Sequence, residues 1–429
     1  VLNEQNVFFT RLRRFGKTLN MSMLYYFFSI KEKENAYLFN GLNISKNKEA
    51  IKHQNKYPVI FIFLKDMKNS SYEKQMNRFK EVICLCAKSH LELLNSERLL
   101  ASEKKLFQKY VDNETEDNAL EKSLFNISYF LYKHYHQKVI ILIDEYDLPL
   151  QSAYQYNYYD EMVEFLRSVF SSALKINDSL EKGIMAGCLR ISKESIFTGL
   201  NNFKAYSILY KSKNEYFGFT KKEILQLLKD YNLTDYVDEV KEWYDGYLFG
   251  NIEIYNLWST LIYVNCKLNS SDNKPISFWA NTSGNDLVVN YIQNGSDELH
   301  EEFEQLIQGK SLTKYIKPEL TYREMDNINN IYSFPLLTGY LKIKEDLGEN
   351  KYKLIIPNKE VYEIYKQSFM SYFEDYTFVR KENLYQSLVK GDVDYANEIL
   401  GDILSRSISY FDNEESFYHG FLLGLFSGK

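Results

Sequence analysis

Short, uniformly apolar runs alternate along this chain with longer stretches of helical spacing. NVFFT (6–10) reads as a β run, and KTLNMSMLYYFFSI (17–30) carries Leu19, Met23, Tyr26 and Phe27 at helical spacing. YPVIFIFLKD (57–66) is a second β run, residues 71–136 read mostly as helix, and KVIILIDE (138–145) is a third β run. Its apolarity is continuous rather than alternating, which predicts a strand covered on both faces, as in a parallel sheet. Residues 160–176 return to helical spacing; KGIMAGCLRI (182–191), interrupted by glycine, is a fourth run and FKAYSIL (203–209) a fifth. Such alternation predicts an α/β domain over 1–212. FTKKEILQLLKDYNL (219–233) then opens a helix, with Thr220 as N-cap and Glu223 completing a capping box. The pattern over 213–375 is mixed and mostly helical, an α+β region with a strand at 352–356, and 376–429 is a further helical segment.

A length of 429 residues suits two or three domains. The net charge of −6 supplies no global basic field that would draw the chain to nucleic acid. Cys84, Cys86, Cys188 and Cys266 form no CxxC pair and no zinc spacing, which predicts reduced thiols in a cytoplasmic protein. No apolar run reaches the roughly 18 residues needed to span a bilayer, and no signal peptide precedes the first strand. The chain begins on Val1, almost inside a strand, and ends on HGFLLGLFSGK, just after an apolar stretch; a fragment of a longer protein is expected.

The chemistry concentrates in three places. TRLRRFGKTLNMSML (10–24) places GKT between the first strand and the first helix, the order of a phosphate-binding loop. There Lys17 would reach the β- and γ-phosphates of ATP and Thr18 would ligate Mg2+. The usual first glycine is replaced by Arg11, so the loop must follow a different path; Arg11, Arg13 and Arg14, with Phe15 and Gly16, make a basic loop that could contact phosphate directly. The same residues also read as a surface turn with a basic cluster. VIILIDEYD (139–147) has the form of a strand ending in a metal-holding Asp144 and a water-activating Glu145, or of a buried strand ending in an acidic loop. Arg190 follows the fourth run. If that strand lies between the first and third, Lys17, Asp144 and Arg190 converge at one sheet edge, where ligands bind in such sheets, and a cation there could stabilise γ-phosphate charge; otherwise Arg190 belongs to a surface ion pair.

These segments, with AGCLRISKESIFTGLNN, YFGFTKKEI, EWYDGYLFGNIEIYN, FWANTSGN, LLTGYLKI and IPNKEV, resemble the bacterial AAA-ATPase-like family that carries a C-terminal PD-(D/E)XK nuclease domain. The resemblance runs from residue 6 to the end. It implies an additional-strand P-loop NTPase domain with Walker A and Walker B motifs, a family loop that also has Arg at the place of Arg11, and a family arginine at Arg190. Leu12 departs from the family's usual Pro. The tail SYFDNEESFYHGFLLGLF (409–426) looks like the opening of the nuclease domain, with Glu415 at the place of its helix glutamate. Only fourteen residues follow, too few for the β-hairpin carrying the remaining metal ligands, so nuclease activity is not expected of this chain; Glu415 and His419 read as helix-surface residues.

The leading expectation is an ATP-binding and ATP-hydrolysing module that, in a full-length protein, would regulate a nuclease acting on DNA. A nucleotide switch without turnover and an interaction scaffold are the alternatives. Trp243, Tyr244, Tyr247, Tyr255 and Trp258 are expected to be core, although an exposed subset could stack on bases; Asp147, in DEYD, has no assigned role.

Overall fold

The computed structural model describes residues 2–189, 203–210, 212–270, 273–279, 295–326 and 330–408, the side chains of 297, 325–326, 369–382 and 402–408 excepted. By contact the chain forms two compact units, Val1–Asn273 with Thr313–Leu354 and Lys274–Leu312 with Ile355–Lys429. The boundaries near 212 and 375, read from changes in sequence pattern, remain an expectation.

The first unit is built on a five-stranded sheet of β1 (Asn6–Thr10), β2 (Val59–Phe63), β3 (Val139–Asp144), β4 (Leu180–Gly187) and β5 (Phe203–Tyr206), in the order β2-β3-β4-β1-β5. Every pairing is parallel. The fourth strand does lie between the first and the third. β1 and β3 are buried at every position, as their continuous apolarity predicts for strands covered on both faces. Helix α1 (Lys17–Phe28) packs on β2, β3 and β4, while the helices Ser123–Tyr135 and Tyr159–Leu174 pack on β3 and β4. Register sets the functional edge: Thr10 lies opposite Gly187 and Asp144 opposite Ala186, so the carboxyl ends of β1, β3 and β4 are level.

The α1 helix forms where its spacing predicts, but its buried face differs. Lys17, Met21, Phe27 and Phe28 are buried, whereas Leu19, Met23 and Tyr26 face solvent. The sheet takes up the side chains in line with Lys17 and Met21, four residues apart, and the apolar residues between them are left outside. The capping box at Thr220 is present: Glu223 N–H donates to Thr220 Oγ1 (3.4 Å) and Thr220 N–H to Glu223 Oε2 (2.8 Å). A strand at Lys351–Ile355 matches the one expected there. In the second unit Asn358 caps the helix Lys359–Lys390, and buried Glu360 accepts a hydrogen bond from the Trp279 N–H (3.1 Å). Among the described residues no helix is long and apolar enough to cross a membrane.

Burial also sets a pH dependence. His90, buried in the first unit with Glu92 and Lys31 facing it, is pulled below its ordinary value of 6.5, chiefly by desolvation. A lowered histidine stabilises the fold above its unfolded value and gives that stability up as pH falls through the folded one. The Glu92 carboxyl, held down to about 2, titrates well below this window. The difference in melting temperature between the parent and His90→Gln is therefore expected to shrink, in the parent's disfavour, on going from about pH 8 to about pH 5. A difference constant across that range, measured by thermal melts, would show that His90 carries its charge in the fold as readily as outside it.

Candidate functional site

The loop from Arg11 to Gly16 joins β1 to α1, and its shape explains how it does without the first glycine. Its left-handed positions are Arg14 (φ 68°) and Gly16 (φ 79°), not Arg11. Gly16 serves as the N-terminal residue of α1, with no side-chain cap and no acidic residue in the first turn. The first turn of a helix has N–H groups without intrahelical acceptors and a positive dipole end, a ready site for anionic oxygens.

Arg11 points into the protein. Its guanidinium is fully buried and donates to the carbonyls of Thr10 (2.8 Å), Tyr206 (2.7 Å) and Lys213 (2.9 Å) and to Asn214 Oδ1 (3.4 Å). It also lies over the rings of Phe217 and Phe249, 5.0 and 5.7 Å from their centroids. Burial pulls it down to about 9, still above neutrality, so the cation is retained. It therefore ties the loop to the exit of β5 and to the chain beyond. Arg13 donates to Gln151 Oε1 (2.8 Å) on the helix Leu148–Gln155. Arg14 lies over Trp258, 5.3 Å from its ring centroid. Phe15 is buried between Tyr247 and Phe249.

The structure brings Lys17, Thr18, Asp144 and Glu145 together. The Thr18 hydroxyl donates to Asp144 Oδ2 at 2.5 Å across 126 residues of sequence. The Lys17 ammonium is buried, donates to the carbonyls of Arg11 (3.3 Å) and Leu12 (3.1 Å) and to Cys188 Sγ (3.2 Å), and stands 3.7 Å from Glu145 Oε1. Desolvation opposes its charge, but Cys188, Glu145, Asp147 and Asp144 outweigh it, and Lys17 is held above its ordinary value. Burial, with Glu145 adjacent, pushes the Asp144 carboxyl up to about 6 against the opposing pull of Thr18 and Lys17. A buried carboxylate in that condition, touching a threonine hydroxyl, is a pair of oxygens suited to a hard cation that takes its other ligands from phosphate and water. Among the described residues no group of three or more His, Cys, Asp or Glu could hold a metal ion by itself. Glu145 takes a left-handed backbone conformation (φ 57°), an uncommon geometry for a non-glycine residue and the kind of strain found at functional turns. Arg190 lies outside the described residues, as do Glu415 and His419.

Three contributors were not legible as such in the sequence. Asp147 Oδ2 accepts from the backbone N–H groups of Cys188 (3.0 Å) and Leu189 (3.1 Å), and the Tyr146 hydroxyl donates to the Leu189 carbonyl. Tyr146 and Asp147 thus clasp the exit of β4, two residues before Arg190. Cys188, whose thiol burial pushes up to about 11, gives the Lys17 amine a sulfur acceptor. The available signal for Asp147 was its place three residues after Asp144, close enough to reach the neighbouring strand end from the same turn.

Residues 1–197 match the model of a family described as predicted AAA-ATPase, which supports an AAA-ATPase-like family for this part of the chain. The parallel five-stranded sheet and its helices agree with a P-loop NTPase-like domain. An Azotobacter chroococcum mcd 1 protein, described as an uncharacterized protein in the vnfD 5' region, is 26% identical over 127 residues. That match covers 29% of this chain and about a quarter (24%) of the relative's length.

Replacing Arg11 by Ala is expected to cost roughly 3 kcal/mol or more in chemical denaturation, because buried carbonyls lose a charged donor and a cavity opens. Lys at the same place should recover little, since an ammonium lacks the planar fork that reaches several oxygens at once. A β-carbon at Gly187 would lie 2.2 Å from Tyr146 Cε1 and 2.6 Å from Asp147 Oδ1. Gly187→Ala is accordingly expected to destabilise by roughly 1–3 kcal/mol, the cost of overpacking, with denaturation midpoints as the measurement.

Proposed function

We propose that the first unit binds Mg-ATP at the loop between β1 and α1 and hydrolyses it. The observation that carries the reading is the meeting of four side chains, far apart in sequence, at one sheet edge: Lys17 beside Glu145 and Thr18 against Asp144. Lys17 would draw the terminal phosphates, and the N–H groups at the start of α1 would surround them. Thr18 and Asp144 would hold Mg2+, which supplies charge neutralisation of the phosphate oxygens. Glu145 would orient the attacking water and take its proton. Arg13 and Arg14 line the loop as further cations, while Arg11 acts as framework, and Arg190, just past the clasped residues 188–189, would stabilise γ-phosphate charge. In a longer protein the module would regulate a PD-(D/E)XK nuclease acting on DNA, a reading that rests on the family resemblance from residue 6 onward and on that of 409–426 to the opening of such a domain.

Thermal melts and phosphate release test this together. At about 100 times its dissociation constant, Mg-ATP should stabilise the parent by about 2.7 kcal/mol and leave Lys17→Ala unmoved. Glu145→Gln should keep the melting shift and abolish phosphate release. A shift without release, unaltered by Glu145→Gln, identifies a nucleotide switch; no shift at all identifies a scaffold.

A further inference from the structure

We propose that Trp258 is the platform on which the base of the nucleoside triphosphate stacks, an inference that rests on the reading of the phosphate loop just given and extends it to the other end of the ligand. Asp144 and Glu145 mark where the terminal phosphate lies. The loop has a second flank. Gly16 and Asn20, four residues apart, share a face of α1 distinct from the buried face of Lys17 and Met21. On that flank Gly16 lies against the helix Leu257–Asn269: a β-carbon on Gly16 would be 3.5 Å from Leu257 Cδ1. Asn20 Nδ2 donates to the Gly16 carbonyl (3.0 Å) and to the Tyr216 carbonyl (3.2 Å), fastening the 216 segment to α1.

This flank is where the unit exposes large apolar side chains beside the loop: Trp258 is 47% exposed, Tyr216 61% and Leu19 53%. Of the aromatic group over 243–258, Tyr244, Tyr247 and Tyr255 are buried and Trp243 is half-buried, so Trp258 is the most exposed member. Arg14, presented by a left-handed backbone, lies over the indole and holds it next to the loop. A ring so held loses little rotational freedom when a flat ligand settles on it. The arrangement suits a nucleobase whose phosphates occupy the adjacent loop. Because stacking reads the π-face and not the hydrogen-bonding edge, Trp258 makes no distinction between adenine and guanine, and ATP and GTP should bind alike through it.

The experiment compares ATP, GTP and inorganic tripolyphosphate, each with Mg2+, by titration calorimetry on the full chain. In the parent, both nucleotides should bind more tightly than tripolyphosphate and within a few-fold of each other. Trp258→Ala should weaken both nucleotides by roughly tenfold and leave tripolyphosphate unchanged, and Trp258→Phe should retain most of the nucleotide affinity. Unchanged tripolyphosphate binding is also the check that the variant folds. If Trp258→Ala weakens all three ligands equally, or none, the base platform is overturned while the phosphate loop stands. Equal affinity of the parent for tripolyphosphate and nucleotide overturns it as well. If the parent binds neither, the phosphate-loop reading falls and the platform with it.

Discussion

A buried ammonium must be surrounded by oxygen, sulfur or negative charge, and the candidate site is organised around meeting that requirement for Lys17. Two loop carbonyls, the Cys188 sulfur and the Glu145 carboxylate do so. Each comes from a different place: the loop after β1, the exit of β4 and the turn after β3. They can meet because three parallel strands end level with one another. The clasp of Tyr146 and Asp147 on residues 188–189 then joins two of those three turns directly. Lys17 thus reaches Cys188, the Cys188 N–H reaches Asp147, and Asp147 lies two residues from Glu145 in the same turn, which returns to Lys17.

The sheet was readable from sequence because its central strands are buried on both faces and therefore written in continuous apolar runs, VIILID above all. The place of the fourth strand between the first and third entered only as a condition attached to the motifs, and the runs themselves carry no strand order. Side-chain direction was less legible. Leu19, Met23 and Tyr26 have helical spacing, yet the sheet buries Lys17 and Met21 instead, with a lysine occupying a place that hydrophobicity would assign to an apolar residue. Arg11 illustrates the same limit. A cation in a basic loop reads as facing solvent or ligand, and nothing local signals that its acceptors are carbonyls near 206 and 213, some two hundred residues away. The role of Asp147 was hidden for the same reason: its partners are backbone N–H groups, which have no signature in sequence.

The loop also trades one solution for another. A glycine at position 11 would make the turn permissive, whereas here the left-handed steps fall at Arg14 and Gly16 and position 11 is free to carry a large side chain. That side chain braces the loop between β1 and α1 against β5, the edge strand beside β1. Glu145 shows the complementary device, a carboxylate at a strained turn whose conformation is fixed because the residues after it grip a neighbouring strand.

The brace has a consequence for how such chains can diverge. Three of the four acceptors of Arg11 are main-chain carbonyls, of Thr10, Tyr206 and Lys213. A main-chain oxygen is present whatever side chain the residue bears, so the hydrogen bonds themselves do not specify those three side chains. The arginine itself has no such latitude, and the tether's side-chain signature at the other end is confined to the Asn214 amide and the rings of Phe217 and Phe249.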